Sequence, residues 1–502
     1  MKTIILGPPG TGKTTRLLQL VEEYLEKGTL PKEIGYFAFT KRAANEAINR
    51  ACIKFNFEKD DLKYFQTLHS FAFRALGINK DKVMNNNHYK HFGKLMGVHV
   101  GYASHQSEES DYFSSDSEYL SIIELAKARG VSTREQFDQN AHTGDIEWHL
   151  LEAFDRGLKR YKVEYGLVDF SGMIMQAIEN ATFPRFKVIF IDEAQDLSHL
   201  QWKLVQKLIE HSDDVYIAGD DDQAIFRWAG ADVEHFRNLN GHIEVLKQSY
   251  RVPQVVHELS QVIVNRIEKR RQKEWLPHDE LGAIYYYNNH EEIDMSKGQW
   301  LILARTNYLL EPFRDRCEQA GWFYTYRRHD CVTPLLLNAI KNWTKWKRGQ
   351  VRLSYSDISN IYSYMTVAGG KIRYGYKQLK TMHKDNDYSF QECLDSYGLL
   401  TKEEWYEAFD GITDRQREYI RAMRRNGENL QGAPRITIST IHAAKGGEST
   451  NVVLLPQLTV ATEEGFHKNP DDEHRLYYVG VTRTKNNLHI VEPDQPERSY
   501  PI

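Results

Sequence analysis

The stretch Gly7-Pro8-Pro9-Gly10-Thr11-Gly12-Lys13-Thr14 restricts the fold of this chain more than any other part of it. It fits the pattern G-x-x-x-x-G-K-[ST], and both flanks suit it. A β-branched run, Thr3–Leu6, leads in, and a helix-patterned stretch, Thr15–Lys27, leads out. The glycines allow backbone N–H groups to converge on one concavity, and the following helix turns its N-terminus toward the same negative charge. Gly7, Gly10, Gly12, Lys13, Thr14 and Thr15 are therefore expected to hold a nucleoside triphosphate. Lys13 would reach the β- and γ-phosphates, and Thr14 Oγ would ligate Mg²⁺.

Further apolar runs repeat the pattern at Gly35–Phe39, Lys187–Ile191, Val215–Ala218, Trp300–Ala304, Ile436–Ile438 and Val452–Leu455. Helical stretches such as Arg42–Cys52 and Leu200–Glu210 separate them. Strands alternating with helices indicate an α/β protein with parallel sheets, whose ligands gather at the carboxyl ends of strands. Two stretches, about 81–167 and 350–431, lose the strand pattern and read as helical arms inserted into two separate sheet domains. The first contains an acidic, Ser-rich segment, Ser104–Tyr119, expected to be a mobile loop.

The apolar strand Val188–Ile191 empties into Asp192-Glu193-Ala194-Gln195-Asp196. Asp192 at the strand end is placed for Mg²⁺, and Glu193 for orienting and deprotonating a water. An acidic helix N-cap is the plain alternative for the same residues. Downstream of a phosphate loop, the pair points to hydrolysis.

Lys+Arg number 65 against 69 Asp+Glu, a net charge of −4, so a polyanionic partner must meet a local basic groove rather than a basic surface. Cys52, Cys317, Cys331 and Cys393 are scattered and read as reduced thiols. No apolar run reaches the roughly 20 residues that span a bilayer. The apolar start stops at Gly7 and reads as a strand rather than a leader, so the expected compartment is the cytoplasm with no membrane partner.

An ordered series of motifs resembles the Rep, UvrD and PcrA group of superfamily-one helicases. After the phosphate loop come Ala38-Phe39-Thr40-Lys41-Arg42-Ala43-Ala44, Thr67-Leu68-His69-Ser70, Val168-Asp169-Phe170 and the Asp192–Asp196 run. Gly219–Trp228, Gln248-Ser249-Tyr250-Arg251, Ala304–Asn307, Thr440–Glu448 and Tyr478–Arg483 follow. The resemblance implies two RecA-like domains with ATP between them and an activity as a DNA-dependent ATPase and helicase, 3′ to 5′ in polarity. It implies boundaries of 1–80 plus 168–275 for the first domain and 276–349 plus 432–502 for the second, with arms at 81–167 and 350–431. Arg251 and Arg483 stand where the group supplies arginine fingers, with Arg305 a lesser candidate. Gln223 would sense the γ-phosphate or the attacking water, Tyr250 would stack on the adenine, and Glu448 would accept from the ribose.

Phe39, Phe226 and Trp228 lie beside polar motifs and are expected to stack on bases, as single-strand binders do. Thr40, His69 and His442 would touch the strand as well. Core packing is the ordinary fate of such rings, and a satisfied structural role that of such histidines. Lys341–Arg348 and Lys371–Lys377 mix basic and aromatic residues and could meet fork duplex, though solvated faces often look the same. The partners implied are single-stranded and fork DNA, with replication or repair proteins, and a monomer is favoured.

Several departures are visible. No residues precede Gly7 to carry the group's adenine-reading Gln motif, so weak base selectivity is expected. Ala229 follows Trp228 where relatives often have Arg, and the second arm is short. The stretch after Arg483 is too brief for a nuclease domain. Rival readings are a RecD-like 5′ to 3′ helicase, a translocase that strips bound proteins with little unwinding, and a non-motor ATPase switch.

Overall fold

The computed structural model describes residues 1–100, 117–139, 146–493 and 495–502, with the Arg42 side chain left aside. Most of the Ser104–Tyr119 segment therefore lies outside the described residues. The chain divides into two compact units, Met1–Gly282 with Glu464–Arg483, and Ala283–Glu463 with Thr484–Ile502.

The first unit holds six strands: β1 (Lys2–Leu6), β2 (Ile34–Ala38), β3 (Phe65–Thr67), β4 (Phe186–Ile191), β5 (Ser212–Gly219) and β6 (His242–Val245). They pair in parallel throughout, in the order β3-β2-β4-β5-β1-β6. A parallel sheet is covered on both faces, so its central strands must be apolar on both sides. In β4 every residue except Lys187 is buried. Its alternate side chains enter two cores, Val188 and Phe190 with Leu17 and Tyr36 on one face, and Ile189 and Ile191 with Phe37 and Leu204 on the other.

Helices between residues 86 and 165 form the first arm around their own core of Tyr89, Phe92, Leu120, Phe154 and Leu158. Asp169 fastens this arm to the sheet. Its Oδ1 accepts from the Gly172 N–H (2.6 Å), capping the helix Phe170–Asn180, while Oδ2 accepts from the ammonium groups of Lys127 (2.9 Å) and Lys162 (2.5 Å) on arm helices. Burial alone would raise the Asp169 pKa, but the two lysines outweigh it and hold the carboxyl below its ordinary range.

The second unit adds β7 (Ala283–Tyr287), β8 (Trp300–Ala304), β9 (Tyr324–Tyr326), β10 (His329–Asp330), β11 (Leu353–Ser354), β12 (Asp387–Tyr388), β13 (Ile436–Thr440), β14 (Ser449–Leu454) and β15 (Thr484–Val491). Its sheet runs β10-β9-β13-β8-β14-β15-β7, parallel except for the β9–β10 pair, and β11–β12 is a separate antiparallel pair in the second arm. That arm packs around Trp343, Trp346, Tyr362, Phe409 and Met423. Lys341–Arg348 thus belongs to one helix whose tryptophans face inward while Lys345 and Arg348 face solvent. In Lys371–Lys377, Tyr374 is exposed on a loop.

All seven strands expected from the sequence are present, in an α/β fold of two parallel-dominated sheets. One segment differs from the expected division. Glu464–Arg483 packs with the first unit, not with the sheet that the chain re-enters at β15. Its helix Pro470–Val481 is buried along most of its length against first-unit residues, including Asp221 and Lys269. No helix among the described residues is long and apolar enough to cross a membrane.

Candidate active site and strand contacts

The phosphate loop leaves the carboxyl end of β1 and bends through two left-handed glycines, Gly10 (φ 74°) and Gly12 (φ 78°), the latter capping the helix Lys13–Glu26. Other residues adopt this conformation at a cost, so the bend fixes both positions as glycine. Lys13 Nζ donates to the Gly7 carbonyl (2.9 Å) and lies 3.8 Å from Glu193 Oε1. The Gln248–Arg251 segment clasps the loop from the side. Ser249 Oγ donates to the Pro9 carbonyl (2.8 Å) and the Tyr250 N–H to the Gly10 carbonyl (2.9 Å). A Cβ on Gly10 would fall 2.5 Å from Arg251 Cβ, so Arg251 and the largely exposed Tyr250 flank the loop directly. Thr15 Oγ1 accepts from Arg50 (3.4 Å) on the neighbouring helix.

At the end of β4, Asp192 Oδ2 accepts from Thr14 Oγ1 (3.0 Å) and from the Tyr36 hydroxyl (2.7 Å). Burial, followed by the charge of Glu193, raises the Asp192 pKa. A hydroxyl and a carboxylate side by side are the oxygen donors a magnesium ion prefers, so the residues present fit that ion. Glu193 itself sits in the left-handed region (φ 52°, ψ 41°). Such a backbone costs on the order of 1–3 kcal/mol and persists where the surroundings over-determine it, often at functional sites.

A continuous run of hydrogen bonds leads away from Glu193. Gln195 Nε2 donates to Glu193 Oε2 (2.5 Å), and Gln195 Oε1 accepts from the Asp220 N–H (3.0 Å). Asp220 Oδ2 accepts from Gln223 Nε2 (2.7 Å), and Gln223 Oε1 accepts from Arg483 Nη2 (3.0 Å). Arg483 is buried, with its Nε donating to the Val479 carbonyl (3.0 Å). Beneath the run, Lys273 Nζ meets Asp220 (2.9 Å), Asp221 (2.6 Å) and Asp222 (2.7 Å), while Arg270 donates to both oxygens of Asp222 (2.8 and 2.6 Å). Burial would raise the Asp220 pKa, but Lys273 and then Lys13 outweigh it and keep this carboxyl ionised.

Among the residues expected to touch a strand, Trp228 is 60% exposed on the loop after Gln223. Phe39 differs from expectation: it is only 3% exposed, part of the core below the sheet, and stacked on Phe226 (6.2 Å between centroids, 28° between planes). Thr40 Oγ1 accepts from the Ala43 N–H (3.1 Å) and caps the helix Lys41–Phe55. His69 is buried, edge-on to Phe170 (5.7 Å). In the second unit, Arg305 follows β8 and His442 follows β13, both half-buried, while Glu448 ion-pairs with Lys485 (2.5 Å).

Two family models match this chain, the UvrD/REP helicase N-terminal domain over residues 1–244 and the UvrD-like helicase C-terminal domain over residues 402–494. The chain belongs to the UvrD/Rep helicase family. Its relatives include the ATP-dependent DNA helicase PcrA of Bacillus subtilis (strain 168), 26% identical over 97% of this chain and 80% of the relative. The PcrA proteins of Leuconostoc citreum (22% identical, 97% of this chain, 79% of the relative) and Staphylococcus aureus strain MRSA252 (23%, 97% and 80%) are similar.

Within this UvrD/Rep chain, sequence reasoning missed the residues that steady the site: Tyr36, Gln195, Asp220, Arg270, Lys273 and Arg475. Lys269-Arg270-Arg271-Gln272-Lys273 looks like a solvated basic run, yet it feeds the buried carboxylates after β5. Three successive aspartates after an apolar strand were the available signal, since buried charges demand partners.

Proposed function

We propose that this UvrD/Rep family member is an ATP-driven DNA helicase that moves 3′ to 5′ along single-stranded DNA. The observation that carries the reading is the hydrogen-bonded run from Glu193 through Gln195, Asp220 and Gln223 to Arg483, which ends beside the loop bearing the exposed Trp228. It supports a reading in which one unit carries both the hydrolytic centre and a strand contact that answers to it.

In this reading Lys13 and the loop amides hold the β- and γ-phosphates, and Tyr250 stacks on the base. Thr14 and Asp192 hold Mg²⁺, which when bound neutralises charge growing on the phosphate oxygens. Glu193 takes a proton from the attacking water. Gln223, fixed between Asp220 and Arg483, reports whether a γ-phosphate is present. Arg483 and Arg251 bring positive charge to the transferring phosphoryl group. Thr40 and His69 join Trp228 and Phe226 along the strand. Hydrolysis then alternates the grip on the strand, as loop and domain closures do in other motors.

Polarity is tested with a single strand carrying a protein block at one end. Faster ATP-dependent displacement from the 5′ end is expected. Faster displacement from the 3′ end would assign the opposite polarity.

A further inference from the structure

Arg227 lies between Phe226 and Trp228, and its Nη1 donates to Asp472 Oδ1 (2.8 Å). Asp472 stands in the first turn of the helix Pro470–Val481. The same helix is fixed midway by Arg475, whose Nε donates to the Asp221 carbonyl (2.9 Å) and Nη2 to the Lys269 carbonyl (2.6 Å). Two residues past its end, Arg483 donates to Gln223 (3.0 Å). The loop and the helix therefore meet at three points, at the tip, the middle and the catalytic end. A helix of 12 residues is a stiff rod about 18 Å long, able to carry a displacement from one end to the other.

Only the tip contact adjoins the exposed stacking ring. The rest of the loop is firmly seated: Gly230 (φ 101°) packs so closely on the first arm that a Cβ there would come 2.8 Å from Ala128 Cβ. A base pressing on Trp228 would thus be felt first at Arg227, whose ion-paired side chain is partly solvated.

We propose that Arg227 and Asp472 are positioning residues that transmit strand occupancy at Trp228 along the Pro470–Val481 helix to Arg483, and so couple DNA binding to ATP hydrolysis. The inference rests on the reading of Trp228 as a strand contact. Neither residue touches the phosphate loop; their effect runs through the helix.

The test measures ATPase rate with and without a long oligothymidylate, and strand affinity by fluorescence anisotropy with a non-hydrolysable ATP analogue. Arg227→Gln and Asp472→Asn should each lower the strand-stimulated kcat about 5- to 10-fold, at the lower end of site-to-site coupling. The strand-free rate should stay within about twofold and strand Kd within about threefold. Asp472 Oδ1 also lies 3.6 Å from Arg475 Nη1, so the double variant should lose no more than Asp472→Asn alone, because Arg227→Gln removes only the contact the two share. Arg227→Lys should recover most of the stimulation. Full stimulation in both single variants, additive losses, or a Kd rise that accounts for the lost stimulation would each overturn the proposal. Trp228→Ala, run alongside, separates the two claims: it should weaken strand binding about tenfold or more. Unchanged Kd in that variant would sink the strand-contact reading on its own, whereas unchanged stimulation in Arg227→Gln would sink only the coupling.

Discussion

At Glu193 the backbone takes a left-handed turn while its carboxylate faces Lys13 on one side and Gln195 on the other. The proposed function makes this carboxylate the base that acts on the attacking water. Glu193→Gln should therefore bind Mg-ATP normally and lose turnover, leaving a protein trapped on single strands; near-normal hydrolysis would remove Glu193 from the role of base. Lys13→Ala should abolish hydrolysis, since the charge set against the β- and γ-phosphates is lost. Arg483→Ala should reduce kcat by about 10³-fold with a far smaller effect on nucleotide affinity, on the scale of an arginine finger. Loss of affinity with kcat intact would make Arg483 a ground-state contact instead. At this scale motif spacing in the sequence picked out residues that the structure brings together, Thr14 with Asp192, Lys13 with Glu193 and Gln223 with Arg483. It was silent on Tyr36 and Lys273, because a lone tyrosine in a strand and a lysine in a basic run carry no pattern until folding brings Asp192 and Asp220 to them.

The elements tell a similar story. Strands that are buried on both faces, such as β8 and, past the exposed Lys187, β4, are apolar runs and could be read directly. β15 could not, because it opens Thr-Lys-Asn-Asn and becomes apolar only at Leu488. The burial of the Pro470–Val481 helix could not be read for a related reason: its buried Arg475, Glu473 and His474 look like surface residues in sequence. The first arm's anchor is testable through pH. The Asp169 carboxyl is held below its ordinary range by Lys127 and Lys162 after burial has pushed the other way. A depressed folded pKa means the unfolded state binds more protons, so this contribution is complete above about pH 4 and is lost as the pH falls further. Asp169→Asn leaves two poorly solvated ammonium groups unpaired and should cost about 3–5 kcal/mol at neutral pH. Its stability should also fall less steeply in acid than that of the parent, as read by denaturant titration across pH. An unchanged acid limb would show that Asp169 does not anchor the arm.

For the whole molecule, the central claim is that ATP hydrolysis is spent on movement along a single strand. A motor that steps must hydrolyse more ATP per binding event on a longer track, whereas a switch needs only to be occupied. The decisive measurement is the steady-state ATPase rate without nucleic acid and with single-stranded DNA of increasing length, blunt duplex DNA and single-stranded RNA. A low rate alone is expected, with strong stimulation by single-stranded DNA that climbs with length to a plateau, and little stimulation by blunt duplex or RNA. Stimulation that is absent, or that is the same for every single strand long enough to bind, would contradict the central claim.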